Sequence, residues 1–361
     1  MTKISNHPFT PRVPPLLEKG RENRFSPPLT RRGPANAWGV VWVQFKRHMI
    51  TYILRRLGAT LIVMAVVALV VFSLLFLTPG DPAAVIAGDI ATDDDIRQIR
   101  AKLGLDQPFL VQFGGWIWRL LHGDLGTSIF TNLPVTTLIG QRVQPTLSLT
   151  LCTLIVAVAI AVPLGVIAAA KAGSWADRFV MGFSVLGFSV PVFVLAYLLI
   201  MLFAVRLHWL PVQGYQPLSD GLWPWLSHLI LPSIALGTVY MALIARITRA
   251  AMLDVLAQDY IRTANAKGLA PRTVLSRHAL KNAGVPIVTV IGLGVALLIS
   301  GAIVTETVFA IPGIGRLTVD AILRRDYPII QGVILLFSAV YVLVNLLVDL
   351  SYRLFDPRIR Y

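Results

Sequence analysis

Thr263-Ala264-Asn265-Ala266-Lys267-Gly268-Leu269 runs on through Pro271 to Ala283 as a polar, basic segment between two apolar runs. The runs lie between Asp220 and Arg246 and between Lys281 and Glu306. Each is free of charge over a length that can cross a bilayer, which takes about 20 apolar residues. Neighbouring membrane helices are usually joined by a short turn. A long connection with its own helical pattern, at about 246–284, is expected to meet something outside the membrane.

Outward from this loop, four more charge-free intervals of spanning length appear. They lie between Arg56 and Asp81, Arg142 and Lys171, Arg178 and Arg206, and Asp326 and Asp349. The interval after Asp220 carries Trp223, Pro224, Trp225 and Pro232 in its first half, so its helix is expected from about Leu229, with the tryptophans as an interfacial belt. Pro163, Pro191, Gly187, Gly292 and Gly294 mark kinks or close packing, which membrane bundles tolerate. Composition agrees. Of 361 residues 56% are hydrophobic and 14% charged, and the mean hydropathy is +0.72. A soluble domain averages about 45–50% apolar and 25% charged.

The net charge of +14 does not point to nucleic acid, because the basic residues cluster at the ends of apolar runs. Lys46, Arg47, Arg55 and Arg56 precede the first span, and Lys171 and Arg178 flank the second connection. Arg246, Arg249, Arg262, Lys267, Arg272, Arg277 and Lys281 crowd the opening loop against Asp254 and Asp259, and Arg353, Arg358 and Arg360 follow the last span. Six alternating spans place all of them on one side, which the positive-inside rule makes cytoplasmic. The expected fold is an all-α, polytopic membrane protein with six transmembrane helices, both termini cytoplasmic and a long external segment at about 79–141. In that segment Asp81, Asp89, Asp93, Asp94, Asp95, Asp106 and Asp124 outnumber four basic residues.

The first span is too long for a signal-peptide core, and Thr78-Pro79-Gly80-Asp81-Pro82 offers no cleavage pattern. Residues 1–48 contain a crude repeat, Pro14-Pro15-Leu16-Leu17-Glu18-Lys19-Gly20 and Pro27-Pro28-Leu29-Thr30-Arg31-Arg32-Gly33. Such a segment cannot bury a core and is expected to be disordered. The membrane-protein pattern starts at Met49, the expected natural start, which makes 49–361 the transmembrane domain. The single cysteine, Cys152, lies in an apolar run, so no disulfide framework follows. The six histidines show no ligand spacing, and neither a metal site nor a catalytic residue is expected.

In the external segment, Asp93-Asp94-Asp95 after Thr92 reads as a helix start and Gly104 as its stop. Phe109, Phe113, Trp116, Ile117 and Leu120 then recur at helical spacing. That stripe either packs on the bundle or interface or forms part of a docking surface. In the loop, Gln258 to Lys267 reads as a short helix with Gly268 at the left-handed position after its end. Pro271 fits the first turn of a further helix, Arg272 to Asn282. The short helix is expected to expose Tyr260 and Ile261. Local physics leaves two readings open, an interfacial helix with snorkelling cations and a helix that fits a groove on another protein.

This segment resembles the EAA loop of ABC-importer permease subunits. Thr263-Ala264-Asn265 stands where that pattern has Glu-Ala-Ala, Gly268 occupies its glycine, and Leu280-Lys281 stands where it ends in Leu-Pro. Ala266-Lys267-Gly268-Leu269 and Arg277-His278-Ala279-Leu280-Lys281-Asn282-Ala283 are similar to the dipeptide/oligopeptide/nickel branch. So are Thr78-Pro79-Gly80-Asp81-Pro82, Leu103-Gly104-Leu105-Asp106-Gln107-Pro108, Gly123-Asp124-Leu125-Gly126, and Glu306-Thr307-Val308-Phe309 with Pro312-Gly313-Ile314-Gly315-Arg316.

The resemblance implies a permease subunit that forms half of a peptide pathway across the inner membrane of a bacterium or archaeon, with a homologous second permease as its heterodimer partner. It implies an external substrate-binding protein and two cytoplasmic ATPase subunits that use ATP and Mg, the chain itself binding no cofactor. The chain has no GxxxxGK[ST] loop. The coupling residues implied are Asp259, Tyr260, Ile261, Arg262, Thr263, Ala264, Lys267 and Gly268. Polar Ser184, Ser189, Thr289 and Ser300, with Glu306 near the outer end of the fifth span, are candidates for a pathway or gate, or for helix packing. The alternatives are a nickel or other small-solute importer of the same family and an independent channel or secondary carrier whose basic loop anchors to lipid. A proton- or sodium-coupled carrier is expected to bury an acidic relay, and no charge-free interval contains one.

Overall fold

The computed structural model describes residues 58–77, 83–84 and 91–355. The disorder expected for 1–48 lies outside the described residues. Those described form helices and no strand, with one isolated bridge between Thr127 and Pro134. In chain order the helices are α1 Gly58–Leu77, α2 Asp93–Leu103, α3 Phe109–Leu121, α4 Val135–Ala170 and α5 Trp175–Ser189. Next come α6 Val192–Arg206, α7 Leu222–Leu256, α8 Asp259–Ala266 and α9 Pro271–Leu280. The last three are α10 Gly284–Val308, α11 Ile314–Arg324 and α12 Tyr327–Phe355.

Four helices, α1, α4, α7 and α12, are long and apolar enough to span a membrane singly, and two bent pairs bring the number to six. The third expected span is one of those pairs. Val190 is extended (φ −90°, ψ 120°) and Pro191 starts the next helix, so the chain turns by 103° between α5 and α6. A proline pushes the residue before it out of the helical region, and Pro191 does this in mid-span. Pro145 and Pro163 leave α4 continuous. The fourth helix starts at Leu222, not near Leu229. Pro224 sits in its first turn, where no N–H is needed, and Pro232 is absorbed further in. The fifth span is entered by the expected helix from Pro271, which bends by 64° into α10.

Neighbour contacts give the direction of each helix. A Cβ added at Gly165 would press on Thr248, and one at Gly237 on Thr153, so α4 and α7 run parallel. Gly294 faces Tyr240 and Gly301 faces Leu236, so α10 runs against α7. Gly292 faces Val348 and Gly332 faces Val135 at the start of α4, which sets α12 parallel to α4 and against α10. These four helices thus have the directions that alternating spans require. The turn at 171–174 and the segment 257–283 share one end, called here the loop end, and 123–134 and 309–326 share the far end.

The bundle centre is α4, α7 and α10, and small residues decide how closely they approach. Ala157, Ala161, Ala168, Ala235 and Ala245 are buried there among Leu149, Leu236, Ile244 and Leu298. Apolar burial does not drive helices together in lipid, so close van der Waals contact and interhelical hydrogen bonds carry the association. Tyr240 donates its hydroxyl proton to the carbonyl of Gly294 across the α7–α10 contact.

At the far end α3 packs on α1. Phe72 lies 5.5, 5.4 and 5.3 Å, centroid to centroid, from Phe109, Phe113 and Trp116. Ile117 and Leu120 border the same cluster. The aromatic stripe of the external segment is thus a packing face. As expected, α2 starts at Asp93 and stops at Gly104, whose φ of +67° only glycine adopts freely.

Candidate coupling site and the far-end latch

Helix α8 has eight residues, too few to be stable alone in water, so its position depends on packing. Ile261 and Ala264, three residues apart and on one face, are buried with Ala169, Ala251, Met252, Val274, Ala279, Ala283 and Ile287. Apart from Ala283, which caps α10, these come from α4, α7, α9 and α10, so α8 rests where four helices meet. Asp259 lies in its first turn, favourable at the positive end of the helix dipole. At the other end Gly268 has φ +76°. Its N–H donates to Asn265 O at 2.9 Å, and the Leu269 N–H donates to Ala264 O at 3.4 Å. Pro271 opens α9 as expected.

The outward face carries Asp259, Tyr260, Arg262, Thr263, Lys267 and Gly268, all exposed. Tyr260 is 42% exposed, and its hydroxyl oxygen accepts from Asn282 Nδ2, just after α9, at 3.0 Å. Arg262 approaches Asp259 at 3.4 Å with both side chains in water, a pair of little energetic weight. It leaves the guanidinium free for another carboxylate. Ile261 corrects the expectation that both apolar residues point outward. It is 2% exposed, because a step of about 100° per residue turns it under the helix while Tyr260 stays outside. Ala264 is likewise buried.

The pathway candidates do not come together. Ser184, Ser189 and Thr289 each donate to a carbonyl one turn back in their own helix, Val180 O at 2.9 Å, Val185 O at 2.9 Å and Val285 O at 2.7 Å. Ser184 is buried and Ser189 exposed beside the α5–α6 bend. Ser300 lies in α10, its side chain outside the described set.

Glu306, the remaining pathway or gate candidate, is 0% exposed. Thr146 donates to its Oε1 at 2.6 Å, and the Arg316 N–H donates to Oε2 at 3.0 Å. The same Thr146 hydroxyl oxygen accepts the Ile314 N–H at 2.8 Å. A carboxylate at the N-terminus of α11 receives otherwise unpaired N–H groups, so Glu306 latches α10, α4 and α11 together. A Cβ at Gly313 would collide with its carboxyl group, so that glycine makes room for it. A second latch joins Ser128 to Asp326 at 2.6 Å. Sequence reasoning missed both pairings, although the Glu306 to Arg316 motif had marked one side of the first. Beside the second latch opens a cavity of about 780 Å³ lined in part by Phe72, Trp116, Arg119, Tyr327 and Gln331.

Comparison with known proteins gives this arrangement a family. Residues 49–150 match the family "Binding-prot-dependent transport system membrane comp, N-term" and residues 161–361 match "Binding-protein-dependent transport system inner membrane component". The "Probable peptide ABC transporter permease protein y4tP" of Sinorhizobium fredii is 56% identical over 310 residues, covering 86% of this chain and 99% of that protein. The "Dipeptide transport system permease protein DppB" of Escherichia coli is 42% identical, covering 87% of this chain and 99% of that protein. A chain from the inward-facing conformations of the MetNI methionine ABC transporter matches the fold with a TM-score of 0.51 at 18% identity, covering 61% of this chain and 97% of that one. The chain belongs to the binding-protein-dependent transport system inner membrane component family.

Proposed function

We propose that this chain is the permease subunit of an ATP-driven peptide importer and forms half of its pathway through the inner membrane of a bacterium or archaeon. The observation that carries the peptide reading is the 56% identity, over 99% of its length, to a relative named as a peptide permease. Names of this kind among the relatives favour peptide over nickel.

The coupling reading stands on α8. A short helix is held from beneath by Ile261 and Ala264, and it presents Tyr260, Arg262, Thr263 and Lys267 on its free side. That shape suits a groove in a cytoplasmic ATPase subunit. Tyr260 is the apolar anchor, Arg262 and Lys267 meet carboxylates that set register, and Gly268 permits the turn. Two such ATPases bind and hydrolyse ATP with Mg, one on this chain and one on a homologous second permease. A substrate-binding protein delivers cargo to the far end. Closure of the ATPases shifts α8 as a rigid body and rocks the spans between inward- and outward-facing states.

Purification of the chain with the products of its neighbouring genes tests this directly. The expected result is co-elution with ATPase subunits and a second permease. A self-sufficient homo-oligomer that takes up solute would support the independent-carrier reading instead.

A further inference from the structure

Asp177, which is buried, and Arg249, which is partly buried, form an ion pair to which the transport reading assigns no task. Arg249 Nε donates to Asp177 Oδ1 at 2.5 Å and Arg249 Nη2 to Oδ2 at 2.7 Å. The Gly173 N–H donates to the same Oδ2 at 2.9 Å. The Asp177 side chain is 6% exposed. Topology alone would be served by a solvated arginine, and a carboxylate taken out of water is tolerated only when paired and hydrogen-bonded. A two-point fork of this kind fixes orientation as well as distance.

A second arginine on α7 points the same way. Arg246 lies over the ring of Phe188, 5.4 Å from its centroid. Residues 246 and 249 are three apart and share a helix face. They hold α5 near its start, at Asp177, and near its end, at Phe188. Beside the Phe188 grip the helices meet closely through small residues: a Cβ at Gly187 would lie 3.0 Å from Ala242 Cβ and 3.2 Å from Thr238 O. Helices that meet through small residues can slide past one another in shear. The bidentate pair adds a directional restraint against sliding at the start of α5.

The position of Arg249 gives the pair a mechanical meaning. Just beyond it on α7, Ala251 and Met252 support Ile261 of α8. A displacement of α8 therefore displaces the end of α7, and the ion pair carries α5 with it. The first freedom beyond α5 is the 103° bend into α6.

We propose that Asp177 and Arg249 are positioning residues that lock α5 to α7, so that movement of α8 reaches the bend at Val190 and Pro191. The inference rests on the coupling reading of α8. Its test is the ratio of ATP hydrolysed to peptide imported, measured in the complete complex with its binding protein in proteoliposomes. Asp177→Asn is expected to leave assembly and ATP hydrolysis near wild type and to lower import per ATP at least tenfold. Arg249→Lys keeps the charge but loses the fork, and an intermediate ratio is expected. The swap Asp177→Arg with Arg249→Asp is expected to recover part of the loss.

A wild-type ratio in Asp177→Asn and Arg249→Lys would overturn the proposal. So would loss of assembly in both, which would make the pair a folding element only. A wild-type complex in which import proceeds without ATP hydrolysis would instead overturn the coupling reading, and the proposal with it.

Discussion

Gly268 is the residue at which backbone conformation and function meet. Its φ is +76°, and a Cβ there would find nothing within 4 Å, so a substitution is opposed by conformation and not by a clash. The left-handed region costs an ordinary residue about 1–2 kcal/mol, too little to unfold the bundle and enough to move the end of an eight-residue helix. Gly268→Leu is expected to insert and melt like wild type and to abolish transport, whereas Gly268→Asn retains most activity because asparagine tolerates this region. Paired uptake and thermal-melting assays check both. Thr146→Val is the converse case. It strips a donor from Glu306 and an acceptor from the Ile314 N–H, at about 1–3 kcal/mol for each buried group left unpaired, so the melting temperature in detergent should fall by several degrees. Gly268 was legible in the sequence because a glycine after a short helix is a local signal. The latch was not, because Thr146 lies 160 residues from Glu306 and 168 from Ile314, and only packing brings them together.

Helix α8 was predicted in nearly its observed bounds, but which residues it exposes depended on where it docks. The distinction is testable with two substitutions on neighbouring residues. Ile261→Asp puts a charge into the cluster under α8 and is expected to free the helix, seen as rapid tryptic cleavage at Arg262 or Lys267. Tyr260→Ala removes only the outer ring. It should leave the melting temperature unchanged while weakening ATPase binding by about 2 kcal/mol, roughly 30-fold, as for an aromatic anchor at an interface centre. Normal ATPase affinity in that variant would refute the docking face. Other elements show what hydropathy conceals. Pro191 signalled a kink, yet charge-free length cannot separate a bent span from two half-helices. The start of α7 at Leu222 was hidden because Pro224 is harmless in a first turn.

Across the whole molecule, the directions that the glycine contacts fix for α4, α7, α10 and α12 fit the alternation read from charge. Positive charge marks the loop end, so the loop should face the cytoplasm. In a Cys152→Ser background, a membrane-impermeant maleimide is expected to label Asp106→Cys from outside the cell and Lys267→Cys only after the membrane is opened. The reverse pattern would invert the topology. The central claim is that this chain moves peptide only when partner ATPases act on α8. Its most direct test is peptide uptake into proteoliposomes holding the purified complex, with binding protein outside and ATP inside. The account predicts ATP-dependent uptake in wild type and none in Gly268→Leu, with the ATPases still bound in both. Uptake by this chain without ATPase subunits, or undiminished uptake in Gly268→Leu, would contradict it.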